Sequence, residues 1–268
     1  MKALSDPGVH PALHALVDRV AERQRADFGH MVSSLKADGT LITACDRWSD
    51  AALVSGLGEL FPNEGVLSEE GDKRVPSSEA YWVVDPLDGT TNFAAGIPYW
   101  AISLARFQGG VPVLAVLDVP PLRQRIVAIR GRGAWRNGKA LQPPSLQPHP
   151  AGCASLCSRS IGVLQKLPEC RFPGKIRMLG VASLNLVSVG MGQTVAALEA
   201  TPKIWDLAAA WLVLHELDCP VRWLQRDPSG IPADTDLSET DFPVLAADRP
   251  ETFARFIPWA EALGDGGA

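Results

Sequence analysis

Residues 82–93, WVVDPLDGTTNF, end an apolar run with two aspartates three positions apart, a proline, a glycine and adjacent threonines. A hard divalent cation such as Mg2+ takes oxygen ligands in near-octahedral geometry, and two such ions side by side need a carboxylate that bridges them. A strand ending at Asp85, then Pro86 and a tight turn delivering Asp88, would gather both carboxylates and the Leu87 carbonyl around one point. Gly89 permits close approach of backbone, and Thr90 and Thr91 suit the start of a helix, whose free amides favour a phosphate. The motif therefore predicts that metal and phosphate meet at one place. Turn chemistry alone, Asp-Pro and then Asp-Gly, explains the turn residues but not the convergence of two acids and two hydroxyls.

Two further sets of acids are ambiguous in isolation. Glu69 and Glu70 in LSEEGD (67–72) have the composition of a solvated surface turn. Asp206 in KIWDLAAAWLVL opens an apolar helix, where a buried carboxylate is costly unless paired or metal-bound, although it could simply cap the helix amides. The five histidines have no metal-ligand spacing, and the five cysteines (Cys45, Cys153, Cys157, Cys170, Cys219) are odd in number and irregularly spaced, so both sets are read as surface or packing residues. Trp82, Trp100 and Trp211 sit in apolar runs and read as core, whereas Trp48 and Trp259 read as surface or interface residues.

These residues need elements to hold them. Leu13, Leu16, Val17, Val20, Phe28, Met31, Val32 and Leu35 recur at helical spacing, which predicts one long amphipathic helix. KADGTLIT (36–43) reads as a loop or hairpin, and DRWSDAALVSGLGELFP (46–62) as a second helix, capped by its aspartate and stopped by Pro62. From residue 80, short β-branched and aromatic runs separated by Gly and Pro predict the strands of one sheet, and Asn137-Gly138 predicts a hairpin. QPPSLQPHP (142–150) reads as a linker or surface loop. Beyond it, residues 183–192 and 203–217 read as helices around a strand at 194–199. The expected fold class is α/β, with an α+β N-terminal half (1–141) and an α/β C-terminal half (142–268).

Length and charge bound the function. A chain of 268 residues with 46 % hydrophobic content can bury a continuous core, and a net charge of -5 without any long Lys/Arg block argues against a nucleic-acid polymer or a membrane surface as partner. No apolar stretch approaches the length of a membrane span, and the N-terminal MKALSDPGVHPALHALV holds no uninterrupted apolar core of a signal peptide, so a cytoplasmic location is expected.

Taken together, SEEG, WVVDPLDGTTNF and IWDLAAA, in this order and at this spacing, resemble the signature set of the inositol monophosphatase family, Mg2+-dependent and lithium-sensitive phosphomonoesterases. The resemblance runs from about residue 10 to about 260 and implies a layered α-β-α-β-α sandwich, two or three Mg2+ ions per active site and a homodimer. It implies that Glu69, Asp85 and the Leu87 carbonyl hold a first metal, that Asp85, Asp88 and Asp206 hold a second, and that Glu69 also reaches a third, weaker site. Thr90 and Glu69 would activate the attacking water, Asp46 would hold the Thr90 hydroxyl, and the amides of Gly89 and Thr90 would hold the phosphate. Lys36 and Asp38 fall where the family has a mobile loop, and Gly180, Val181, Ala182 and Glu199 fall where it contacts the alcohol. No side chain is placed as a covalent nucleophile.

The expected reaction is hydrolysis of a small-molecule phosphate monoester, with inositol monophosphate as first substrate. Fructose 1,6-bisphosphate, 3'-phosphoadenosine 5'-phosphate and histidinol phosphate are the alternatives, and a catalytically idle scaffold is a further one. A bisphosphate would need extra cations, for which Arg159, Lys175, Arg177 and Lys203 are available. Two departures from the family pattern fall on the substrate side: HELDCP (215–220) stands where EAGG is common, and Val181 where a small hydroxyl residue is common.

Overall fold

The structure is a computed structural model and describes residues 8–30, 33–35, 41–144, 152–167 and 169–264. Helices α1 (Pro11–Asp27) and α2 (Ala44–Leu60) are joined through a short antiparallel pair, β1 (Ser33–Leu35) and β2 (Leu41–Thr43). A seven-stranded sheet follows in the order β3 (Gly65–Ser68), β4 (Ala80–Asp88), β5 (Ala101–Gln108), β6 (Val111–Val119), β7 (Gln124–Ile129), β8 (Gly133–Arg136) and β9 (Lys139–Ala140). The β3–β4 pair is parallel and every later neighbour antiparallel. The short helix α3 (Thr90–Ala94) lies between β4 and β5. A second sheet has the order β11 (Lys175–Arg177), β10 (Cys153–Leu156), β12 (Ala196–Glu199), β14 (Val244–Ala247) and β13 (Val221–Trp223). Its helices are α4 (Val163–Lys166), α5 (Ala182–Gly190), α6 (Ile204–Glu216) and α7 (Pro250–Gly264).

Side-chain alternation builds the layers. On β4, Trp82 and Val84 face Leu13, Val17, Leu53 and Leu57 of α1 and α2, while Tyr81 and Val83 face the cluster that holds α5 and α6. That cluster continues through α6 to Ala197, Val244 and Ala246 of the second sheet. The far face of the second sheet, with Leu156, Leu198 and Leu245, packs on Val163, Phe256 and Trp259 of α4 and α7. The result is the expected α-β-α-β-α sandwich. The middle helices α5 and α6 are covered on both sides, which is why they are apolar around almost their whole circumference.

Three expectations are corrected. The first helix stops at Asp27 rather than Leu35: Phe28 takes an extended conformation and stacks on Trp100 at 4.7 Å, and Ser33–Leu35 pair as a strand. The second helix starts at Ala44, with Thr43 as its cap and Asp46 inside the first turn as the reciprocal member of a capping box. Trp259 is core, packed edge-on to Phe172 at 5.1 Å. The Asn137-Gly138 hairpin forms between β8 and β9, with both residues at positive φ as such a turn requires. Among the described residues, no helix is long and apolar enough to cross a membrane.

Candidate active site

Asp85 and Asp88 are three apart on one strand, a spacing that in a regular ladder would put them on opposite faces. The β4–β5 register corrects this, because Asp85 pairs with Ser103 and Asp88 with Ala101, leaving one extra residue on β4. This bulge at Pro86-Leu87 turns both carboxylates to the same side. Asp206 joins them from the first turn of α6, and ligand oxygens of the three acids lie within 4.8 Å of one another. The Asp85 carboxylate also accepts the Leu87 N–H at 2.9 Å, which fixes the turn.

The cluster is electrostatically unbalanced. Asp85 is 1 % exposed, and burial, then Glu69, Asp88 and Asp206, push its carboxyl well above the usual range. Burial raises Asp88 to about 6, against the opposing effect of Ser183 and Ala182 at the start of α5; the Ser183 N–H donates to it at 2.8 Å. Asp206 is raised by burial and then by Asp88 and Glu69. Among the described residues, no lysine, arginine or histidine pairs with any of the three. Oxygen donors of one sign, two buried and one half-buried, with no cation among the described residues, are the donor set that a hard divalent cation fits.

Asp206 stands both at the start of α6 and in the acid cluster. Its Oδ2 accepts the Lys203 backbone N–H at 2.8 Å, so it caps α6 while belonging to the acid cluster. Glu69 follows β3, and its N–H donates to the Val84 carbonyl at 3.1 Å, which brings its loop alongside the end of β4. Its charge is felt by Asp85 and Asp206, although it stands outside the tight three-acid group.

Thr90 Oγ1 donates to Asp46 Oδ1 at 2.7 Å and lies 3.2 Å from the Leu87 carbonyl. Asp46, 1 % exposed on α2, accepts the Thr43 N–H through its other oxygen at 2.8 Å. Gly89 has φ +101, and a Cβ there would lie 2.8 Å from Val181 Cγ2, so this position admits no side chain. Val181 therefore closes against Gly89 and is itself fully buried at the cap of α5.

A cavity of about 400 Å³ opens from Asp88 and Asp206. Gly180, Val181, Ala182 and Glu199 line it together with Asn185, Cys157 and Arg159. Glu199, at the end of β12, accepts Asn185 Nδ2 at 2.8 Å; burial pushes its carboxyl up to about 8, with Asn185 opposing and Asp88 reinforcing the shift. Lys36 and Asp38 lie outside the described residues.

Sequence reasoning missed Gln24. Buried in α1, its Nε2 donates to the Pro86 carbonyl at 2.8 Å and to Ser49 Oγ at 3.1 Å, and its Oε1 accepts the Trp100 indole N–H at 3.0 Å. It thus anchors the bulge between the two aspartates. A polar side chain one turn beyond Val20 on the apolar stripe was the available signal. Asn185 was missed too, because a lone asparagine in an apolar helix gives no hint of its partner.

A layered α/β fold with acids converging beside a half-buried threonine hydrogen-bonded to a buried aspartate defines a class of metal-dependent phosphoryl hydrolases. Comparison narrows the class: the model of the inositol monophosphatase family matches residues 11–241, and the chain belongs to that family of phosphatases. It is 33 % identical to a histidinol-phosphatase of Mycobacterium tuberculosis over 75 % of this chain and 82 % of that one. It is 30 % identical to a fructose-1,6-bisphosphatase/inositol-1-monophosphatase of Thermotoga maritima over 66 % of this chain and 68 % of that one. Among solved structures, the extragenic suppressor protein suhB of Bartonella henselae superposes with a TM-score of 0.76 at 26 % identity, covering 96 % of this chain and all of the other.

Proposed function

We propose that this protein hydrolyses small-molecule phosphate monoesters with Mg2+, by in-line attack of water and without a covalent phosphoenzyme. The observation that carries this reading is the meeting of Asp85, Asp88 and Asp206, from two distant segments, within 4.8 Å and next to the Thr90–Asp46 pair. Asp85, Asp88 and Asp206 would hold one divalent cation, and Asp85 with Glu69 and the Leu87 carbonyl another. Bound there, such ions lower the pKa of a coordinated water and screen the charge that develops on the phosphoryl and leaving oxygens.

The protein's own groups do the rest. Because Thr90 gives its proton to Asp46, its oxygen keeps lone pairs to accept a hydrogen bond from the attacking water. Glu69 receives the proton that this water loses. The Gly89 and Thr90 amides, at the start of α3, hold the phosphoryl oxygens. Gly180, Val181, Ala182 and Glu199 face the alcohol, and inositol monophosphate is the first ester to test. Val181 packs fully buried against Gly89 where a small hydroxyl residue is common in the family, so fructose 1,6-bisphosphate, 3'-phosphoadenosine 5'-phosphate and histidinol phosphate belong beside it in the assay.

The test is Mg2+-dependent phosphate release from these four esters, with Glu69→Gln as control. Release that is lost in the control supports the reading. No release from any ester by the unaltered protein rejects it. A homodimer is part of the same reading, supported by exposed Ile97, Met178 and Leu179; Asn92 links the first and last of these through the Ile97 N–H and the Leu179 carbonyl, both at 2.8 Å. Sedimentation showing only monomer would reject that part.

A further inference from the structure

We propose that Lys73 is a positioning residue that clamps the turn carrying Glu69 onto the start of α6, gathering the acids before a metal arrives and so raising the affinity of the site for a divalent cation. This rests on the metal-dependent phosphatase reading and adds to it a residue outside the acid cluster. Lys73 Nζ lies over the ring of Trp205, the neighbour of Asp206, at 5.4 Å from the ring centroid. Among the described residues no carboxylate pairs with this lysine. Trp205 is 4 % exposed and its carbonyl accepts the Ser103 hydroxyl at 3.3 Å, so the ring is a fixed platform. A cation over an indole face is attracted by the ring quadrupole, more strongly where water is excluded, and Lys73 is half-buried.

The backbone around Lys73 makes this contact a link between two parts of the site. The Ser68 N–H donates to the Asp72 carbonyl at 2.8 Å and the Gly71 N–H to the Ser68 carbonyl at 3.3 Å, which closes Glu69 and Glu70 into a turn that Lys73 follows directly. The Lys73 carbonyl accepts the Leu237 N–H at 3.1 Å, and Val75 exchanges hydrogen bonds with Asp234 and Thr235. The lysine is therefore anchored through its backbone at one end and on Trp205 at the other. Glu69 and Asp206, on the two segments so joined, carry charge of one sign: burial first, then Asp88 and Glu69, push the Asp206 carboxyl up. Without a metal this repulsion favours spreading of the turn away from α6, and a cation fastened to Trp205 opposes it. Gathering that the clamp achieves in the metal-free protein is gathering that the metal need not impose on binding.

Calorimetric titration of the metal-free protein with MgCl2 tests the clamp without any ester. Lys73→Met keeps an unbranched stem and removes the charge, and its Kd for Mg2+ is expected to rise about two- to fivefold, the factor that one cation–π contact near the surface supports. Lys73→Arg, whose guanidinium also stacks on an indole, should stay within about twofold of the unaltered protein. Charge by itself predicts the opposite sign, because removing a cation near the acids strengthens their attraction for Mg2+. An unchanged or lower Kd in Lys73→Met therefore overturns the clamp, as does a Lys73→Arg variant that binds as weakly as Lys73→Met. In turnover, the Mg2+ concentration giving half the maximal rate should rise by the same factor with KM for the ester unchanged, and a loss of kcat at saturating Mg2+ without that rise also overturns it. If Lys73→Met does not fold, Lys73→Gln replaces it with the same expectations. No Mg2+ binding by the unaltered protein means that the metal reading itself fails and the clamp falls with it, whereas binding that Lys73→Met leaves unchanged rejects the clamp alone.

Discussion

Asp85, Asp88, Asp206 and Glu199 all hold their protons to higher pH in the folded protein than in the unfolded chain. Wherever the folded state binds more protons, raising the pH removes stability. For Glu199 that window runs from about 4.5 to about 8, so the melting temperature of the metal-free protein should fall across it, and Glu199→Gln should flatten the fall. Thermal melts in EDTA check this, and a wild-type melting temperature that rose with pH would contradict it. A fixed Mg2+ concentration a hundredfold above its Kd at the acid end should restore about 2.7 kcal/mol there, and more at the alkaline end, where Kd is lower because protons no longer have to leave. Asp206→Asn keeps an oxygen for the Lys203 amide but removes charge from the cluster. Its Mg2+-dependent turnover is expected to fall by at least about 100-fold while the helix stays capped. Full turnover at saturating Mg2+ would return Asp206 to a capping role alone.

At the scale of elements, the β4 bulge and the α3 start are built by contacts from other segments. Gln24 on α1 holds the Pro86 carbonyl, so Gln24→Ala should cost about 1–3 kcal/mol by leaving that carbonyl and the Trp100 indole unsatisfied. It should also weaken Mg2+ binding, measured by calorimetry, because the bulge sets the direction of both aspartates. Gly89→Ala faces a positive φ and a side chain at 2.8 Å. It is expected to destabilise by more than about 1 kcal/mol, and adding Val181→Ala should recover the steric part but not the part due to φ. Chemical denaturation of the two variants separates these contributions.

Over the whole molecule, α5 and α6 form a layer shared by both sheets, so residues after 181 complete the cover of strands before 130. Leu212→Ala, in the fully buried middle of α6, should cost about 2–5 kcal/mol and lower the stability of both sheets together. A single denaturation transition that shifts as a unit is the expected readout, whereas two separate transitions would mean that the sheets melt independently.

Much of this was legible in the sequence because it is local. The type and spacing of the acids and threonines in WVVDPLDGTTNF, the apolar middle helices and the Asn137-Gly138 turn follow from short-range chemistry and periodicity. The first helix was overextended because the apolar spacing continues past Asp27, while the event that ends it, Phe28 packing on Trp100 and Phe93, is long-range. Trp259 was misjudged for the same reason, since only the second sheet decides that its helix face is covered. Tertiary structure alone decided that an extra residue in β4 turns two aspartates to one side, that Gln24 anchors the bulge, and that Asp206 caps its helix and also joins the acids. A sequence states which groups are available within a few residues, but which of them share a dielectric, a cation or a cavity depends on distances that only the folded chain sets.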